Sequence, residues 1–115
     1  MDALPNKDAK VDPVTFDIIL EHEFVTTEMA GVVDPARVSN RIIGQNKFRW
    51  KFYSQQGGQV ASTSGAFVET KMIPDKPTAD YVVFLGNQDQ AYAALDVVRY
   101  IPRYSYAGSK IILLA

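Results

Sequence analysis

The chain has 115 residues, with 12 basic, 13 acidic, one histidine and no cysteine, giving a net charge of −1. That length allows one domain with one modest core, and 47% hydrophobic with 22% charged residues is ordinary for a globular domain. The absence of cysteine excludes disulfides, thiolate metal sites and a cysteine nucleophile within the chain. The near-neutral charge argues against gripping a nucleic-acid backbone.

Met1 to Pro13 is polar, holds Pro5 and Pro13, and lacks the apolar core of a signal peptide. No apolar run reaches the roughly 18 residues of a membrane span. The expectation is a cytoplasmic protein with no membrane partner. Residues 1–14 read as a flexible leader, or alternatively as an arm packing on a partner subunit, and 15–115 as the domain.

The stretch Phe16 to Arg37, FDIILEHEFVTTEMAGVVDPAR, organises the rest. Thr15 to Leu20 predicts a buried strand from its β-branched and aromatic content, with Asp17 near the amino end. From Thr26 the period becomes helical. Met29, Val32, Val33, Ala36 and Ile43 share one face, Thr26 is the expected N-cap and Gly44 the stop. Asp34-Pro35 leaves two outcomes: a helix that kinks there, or a second start capped by Asp34.

Lys47 to Ser54, KFRWKFYS, alternates as a half-buried strand, with Phe48, Trp50 and Phe52 on one face. Gln59–Thr63 and Ala66–Thr70 predict a small hairpin excursion before the main sheet resumes. Met72 to Asp80 is a loop. Tyr81 to Leu85 is a continuous apolar run, as in strands buried on both faces. Asn87 and Gln90 form a capping-box pattern ahead of a helical stripe, Ala91, Ala94, Leu95, Val98 and Ile101, which Pro102 perturbs or ends. Tyr100, Tyr104 and Tyr106 fall around that end, either packing at the sheet edge or making an oligomer contact. Lys110 to Ala115 reads as another buried strand. Strands alternating with helices predict an α/β fold: a three-layer, mostly parallel sheet with flanking helices.

Ligand sites in such sheets lie outside the carboxyl ends of the strands, which directs attention to His22–Glu28. Glu28 is the acid singled out, at a helix start where a carboxylate is favoured. Glu21, His22 and Glu23 are adjacent and do not converge on a metal, and no second histidine can complete a zinc shell. No metal or other cofactor is expected. Gly57-Gly58 lacks the spacing of a dinucleotide fingerprint. Ser62, Ser64 and Ser109 lack the G-x-S-x-G elbow of a hydrolase.

Three stretches resemble the class I glutamine amidotransferase-like superfamily, in its PfpI group, and most of all the N-terminal sensor domains of AraC-type transcriptional regulators. In the first, Phe24 and Glu28-Met29-Ala30-Gly31 match the turn and acid that follow the first strand, with Val32 in place of a proline. The second, FRWKFYSQQGGQVASTSG, is similar to R-W-x-x-x-S-x-x-G-G-x-V-x-S-S-x-G, with Arg49, Trp50, Ser54, Gly57, Gly58, Val60, Ser62 and Gly65 in register. The third is DYVVFLGN followed by AGSKIILLA.

The resemblance implies a flavodoxin-like fold, here an incomplete domain over 15–115. Enzymatic members of the family carry a nucleophilic cysteine on an elbow after the last strand, and that position falls on Ala115. The supporting acid matches Glu28, and the family's Gly-Gly after the middle strand is Gly86-Asn87. The implied function is a non-enzymatic ligand-sensing and dimerisation domain of an AraC-family regulator, a homo-oligomer whose DNA-binding part is missing from this chain. Its small-molecule effector, a nitrogen-containing metabolite, would sit beside Glu28, His22, Gly86, Asn87 and Ala115, with no direct nucleic-acid contact. The alternative is a PfpI-like cysteine-dependent hydrolase or amidotransferase relative whose site is completed outside this chain. A third reading is a truncated gene product with no separate function.

Overall fold

A computed structural model of the chain describes residues 12–87 and 96–114. Its described strands form one six-stranded sheet in the order β3-β4-β2-β1-β5-β6. These are β1 (Val14–Ile19), β2 (Phe48–Ser54), β3 (Gly58–Ala61), β4 (Phe67–Met72), β5 (Tyr81–Leu85) and β6 (Lys110–Leu114). All neighbours run parallel except β3 and β4, which form an antiparallel hairpin. The helices are α1 (Thr26–Ile43) and α2 (Ile101–Ala107), the latter preceded by a 3-10 turn at Asp96–Tyr100.

The sheet has an apolar layer on each face, because alternate residues of its central strands point to opposite sides. On one face Ile18, Leu20, Phe24, Val60, Val83 and Leu85 are buried, and Met29, Val32 and Val33 of α1 pack against them. On the other, Ile19, Val82 and Phe84 are buried with Val97 and Tyr104, and Tyr53, Tyr100 and Ile101 add to the cluster. The result is the three-layer α/β arrangement expected from the sequence, with β1 at its centre. Burying the side chains of β1 and β5 stabilises the fold by about 1.5–3 kcal/mol for each large apolar residue.

Several local expectations are corrected. The β3–β4 hairpin is no excursion. β4 pairs with β2 at Tyr53↔Lys71 and Ser54↔Met72, so the hairpin extends the sheet. Ser54 Oγ and Thr70 Oγ1 lie 2.6 Å apart across this junction, both residues buried. Thr26 is not the N-cap: Val25 occupies that place, and no side chain bonds there. The Thr26 hydroxyl instead donates to Ser64 Oγ at 3.0 Å. α1 passes through Pro35 as one helix and ends on Gly44 in the left-handed region, φ 77°.

Pro102 opens a helix and does not end one. It lies in the first turn of α2, where its missing N–H has no helical partner to lose. The stripe Ala91, Ala94 and Leu95 lies outside the described residues. β6 is an edge strand, not a doubly buried one, and Leu113 is 49% exposed. Of the three tyrosines, Tyr104 is fully buried with Tyr100 packed in the same cluster, and Tyr106 is 97% exposed. Asp17 lies well inside β1 and is buried.

Candidate functional site

At the carboxyl end of β1 the chain turns sharply before entering α1. Glu23 takes a left-handed conformation there, φ 67°, the one non-glycine residue to do so among those described. This directs Phe24 back under the sheet end, where it is buried and bridges to Ser62 on one side and Asn87 on the other. Glu23 N donates to Ala61 O at 2.7 Å, and Thr63 N to Phe24 O at 3.0 Å. The Asn87 side-chain amide donates to His22 O at 2.7 Å. The β1–α1 turn is thus tied to the hairpin and to the end of β5.

Glu28 follows this turn, in the first turn of α1. Both of its carboxyl oxygens are buried, and neither has a hydrogen-bond partner among the described residues. Burial raises its pKa above the ordinary glutamate value. A buried carboxyl without a donor is destabilising, and such groups concentrate at functional sites. It can accept hydrogen bonds when ionised and donate one when protonated.

His22 occupies a different part of the same sheet end. It lines a cavity of about 230 Å³ with Leu20, Glu21, Ser54, Gln55, Gln56, Gly57, Val60 and Val97. Ala61 N donates to His22 Nδ1 at 3.3 Å, which assigns the ring proton of a neutral imidazole to Nε2. Gly57 is required by its position. Its φ is +73°, and a Cβ there would lie 3.2 Å from Met72 N.

The structure therefore brings His22 and Asn87 into direct contact, and the Phe24–Asn87 bridge leads into the helix that carries Glu28. Gly86 is buried beside Asn87. Glu28 does not line the His22 cavity. Ala115 lies outside the described residues, as does Gln90, the partner in the capping-box pattern. Among the described residues no group of three or more His, Cys, Asp or Glu side chains could hold a metal ion.

The sequence reading missed a chain of hydroxyls at this end. Thr26 donates to Ser64, and Ser62 Oγ and Ser64 Oγ lie 2.8 Å apart, with Ser62 buried. The serine–threonine density of Ser62–Ser64 was its only sequence signal. It also missed the cavity at Gln55–Gly57, which forms because β2 ends beside the β1 turn. A lone acid within an apolar strand was the available signal for Asp17, whose carboxylate accepts from Tyr104.

The topology and the two apolar faces are those of a class I glutamine amidotransferase-like fold, flavodoxin-like in its layers. The chain is similar to the crystal structure of an AraC family transcriptional regulator from Pseudomonas putida, with a TM-score of 0.71 and 18% identity over 86% of this chain and 54% of that one. It is also similar to a DJ-1 superfamily protein from Agrobacterium tumefaciens, with a TM-score of 0.66 and 17% identity over 87% of this chain and 52% of that one. Both neighbours have class I glutamine amidotransferase-like folds. At these identities the likeness shows the fold, and this chain spans about half the length of either neighbour. No family model matches the sequence. No curated protein matches it. Among the described residues, no helix is long and apolar enough to cross a membrane.

Proposed function

We propose that this chain is a ligand-sensing and dimerisation domain of an AraC-type transcriptional regulator, non-enzymatic and cytoplasmic. The observation that carries this reading is Glu28, whose two buried carboxyl oxygens have no partner among the described residues. The fold shared with an AraC family regulator agrees with it. A ligand amine or amide N–H would supply the missing donor. Cysteine-dependent chemistry needs a thiolate, and this chain has no cysteine. For dimerisation the outer face of α1 offers Val38, 43% exposed, and Ile42, 76% exposed.

Thermal-shift measurements with a panel of small amines and amides test the site. A compound that stabilises the wild type should lose its effect against both Glu28→Ala and Glu28→Gln. Equal shifts in wild type and variants remove Glu28 from the ligand site. Light scattering tests dimerisation, and a monomer at every concentration removes that part of the reading. The DJ-1 superfamily neighbour supports a second reading, an enzyme relative whose reactive site is completed outside this chain.

A further inference from the structure

Among the described residues, the amino-terminal half of β2 has a strand on one side only. β1 pairs with it from Phe48 to Tyr53, whereas β4 joins it only at Tyr53 and Ser54. The direction of its backbone groups follows from the ladder. Lys47 O and Tyr53 O accept from Val14 N and Leu20 N of the β1 side, and Ser54 O accepts from Ile73 N on the opposite side. Alternation then turns the N–H and C=O of Phe48, Trp50 and Phe52 away from β1. Those of Phe48 are taken by one side chain of α1: Asn40 Nδ2 donates to Phe48 O at 2.7 Å, and Asn40 Oδ1 accepts from Phe48 N at 2.8 Å. Next along the edge, the N–H and C=O of Trp50 face no strand among the described residues.

The surroundings of this edge are cationic. Arg49 and Lys51 share one face of β2 and are exposed. A cleft of about 290 Å³ runs along that face, lined by Arg49, Lys51, Tyr53 and Lys76 together with the buried Asp17. Trp50 borders both this cleft and a second hollow shared with Asn46 and Phe48. In the adjoining loop Asp75 is paired with Arg103 at 4.0 Å, and Asp80 accepts from Thr15.

We propose that the open edge of β2 at Trp50 binds an acidic, extended segment of a partner protein by strand addition. The main-chain groups of Trp50 would supply ladder hydrogen bonds, and alternate acidic side chains of the incoming strand would meet Arg49 and Lys51. Edge-to-edge pairing with a second copy is disfavoured, because it would set Arg49 and Lys51 against their own equivalents. Asn40 closes the edge at Phe48 and β4 closes it at Tyr53, so the site takes a short segment. It lies at the opposite end of β2 from Glu28 and does not depend on the ligand-sensing reading.

Trp50 is the single tryptophan of the chain, so its fluorescence reports occupancy directly. The probe is a capped peptide alternating glutamate with valine, titrated into the purified chain, with its lysine–valine counterpart as control. The expected result is a saturable change with the acidic peptide, none with the basic one, and slowed amide hydrogen exchange at Trp50. Arg49→Glu/Lys51→Glu should lower acidic-peptide affinity at least tenfold and gain binding of the basic peptide. Both replaced side chains are exposed, and an unchanged far-ultraviolet dichroism spectrum confirms the fold. Equal binding of both peptides, undiminished binding by the variant, or binding without protection of the Trp50 amide would overturn the proposal.

Discussion

The Tyr104 hydroxyl donates a 2.8 Å hydrogen bond to Asp17 Oδ2, joining α2 to the central strand across 87 positions of sequence. Both residues are buried, and Tyr104 also meets Phe84 edge-on at 6.2 Å between ring centroids. Burial and the nearby Asp17 push the phenol pKa far up, so Tyr104 remains a donor at any physiological pH. Tyr104→Phe keeps the ring and leaves the carboxyl of Asp17 without this donor. It should destabilise the fold by about 1–3 kcal/mol, read from chemical denaturation. A loss below a few tenths would show that water replaces the bond.

Asp17 also sets a pH dependence. Burial raises its pKa, and this outweighs the opposing effects of the Tyr104 bond and of Lys51. A carboxyl whose folded-state pKa lies above its unfolded value holds its proton more tightly when folded. Its contribution is therefore greatest below the ordinary aspartate range and declines as pH rises through the folded value. Asp17→Asn retains an acceptor for Tyr104 and removes the titration. The stability of wild type relative to this variant should fall as pH rises from about 3 to about 7. A flat difference would mean that folding leaves the Asp17 pKa where it is in the unfolded chain.

Glu28 follows the same sign, since burial raises its pKa too. Glu28→Gln should therefore gain stability relative to wild type at neutral pH, and the gain should shrink as pH falls into the carboxylate range. Denaturant midpoints at the two pH values measure it. A variant less stable than wild type at both would point to a partner for the carboxylate within the chain.

Glu23 is held at φ 67°, a conformation that disfavours an L side chain by roughly 1–2 kcal/mol and that glycine enters freely. Glycine gives back roughly half to one kcal/mol in chain entropy. Glu23→Gly should accordingly stabilise the turn by up to about 1 kcal/mol, seen as a rise in Tm. A fall in Tm would assign the Glu23 side chain a stabilising contact that outweighs the strain.

The Asn40 side chain makes both of its hydrogen bonds to the backbone of one residue, Phe48. Asn40→Ala removes a donor and an acceptor from a half-buried strand start. The expected loss is about 1–3 kcal/mol, with faster hydrogen exchange at the Phe48 amide than at Ile18. Unchanged exchange at Phe48 would mean that the amide finds another partner.

Element type was legible wherever one local pattern dominated. Tyr81–Leu85 is apolar throughout because β5 is covered on both faces, and α1 shows its stripe because a single face meets the sheet. Boundaries set by competing signals were not legible. Pro102 marks a helix start as well as a helix end, and only the preceding 3-10 turn decides between them. Thr26 looks like a cap, yet its hydroxyl is taken by Ser64, a residue 38 positions away.

The sequence by itself determined the layered α/β class, the turn after β1 and the presence of an acid at Glu28, because periodicity, glycine placement and residue type are local properties. The tertiary structure decided what those residues experience. It buried the Glu28 carboxyl with no donor among the described residues and linked His22 to Asn87. It paired Asp17 with Tyr104, and it left Trp50 on an open edge. Each of these depends on which strands become neighbours, and strand order is fixed by packing between segments far apart in the chain.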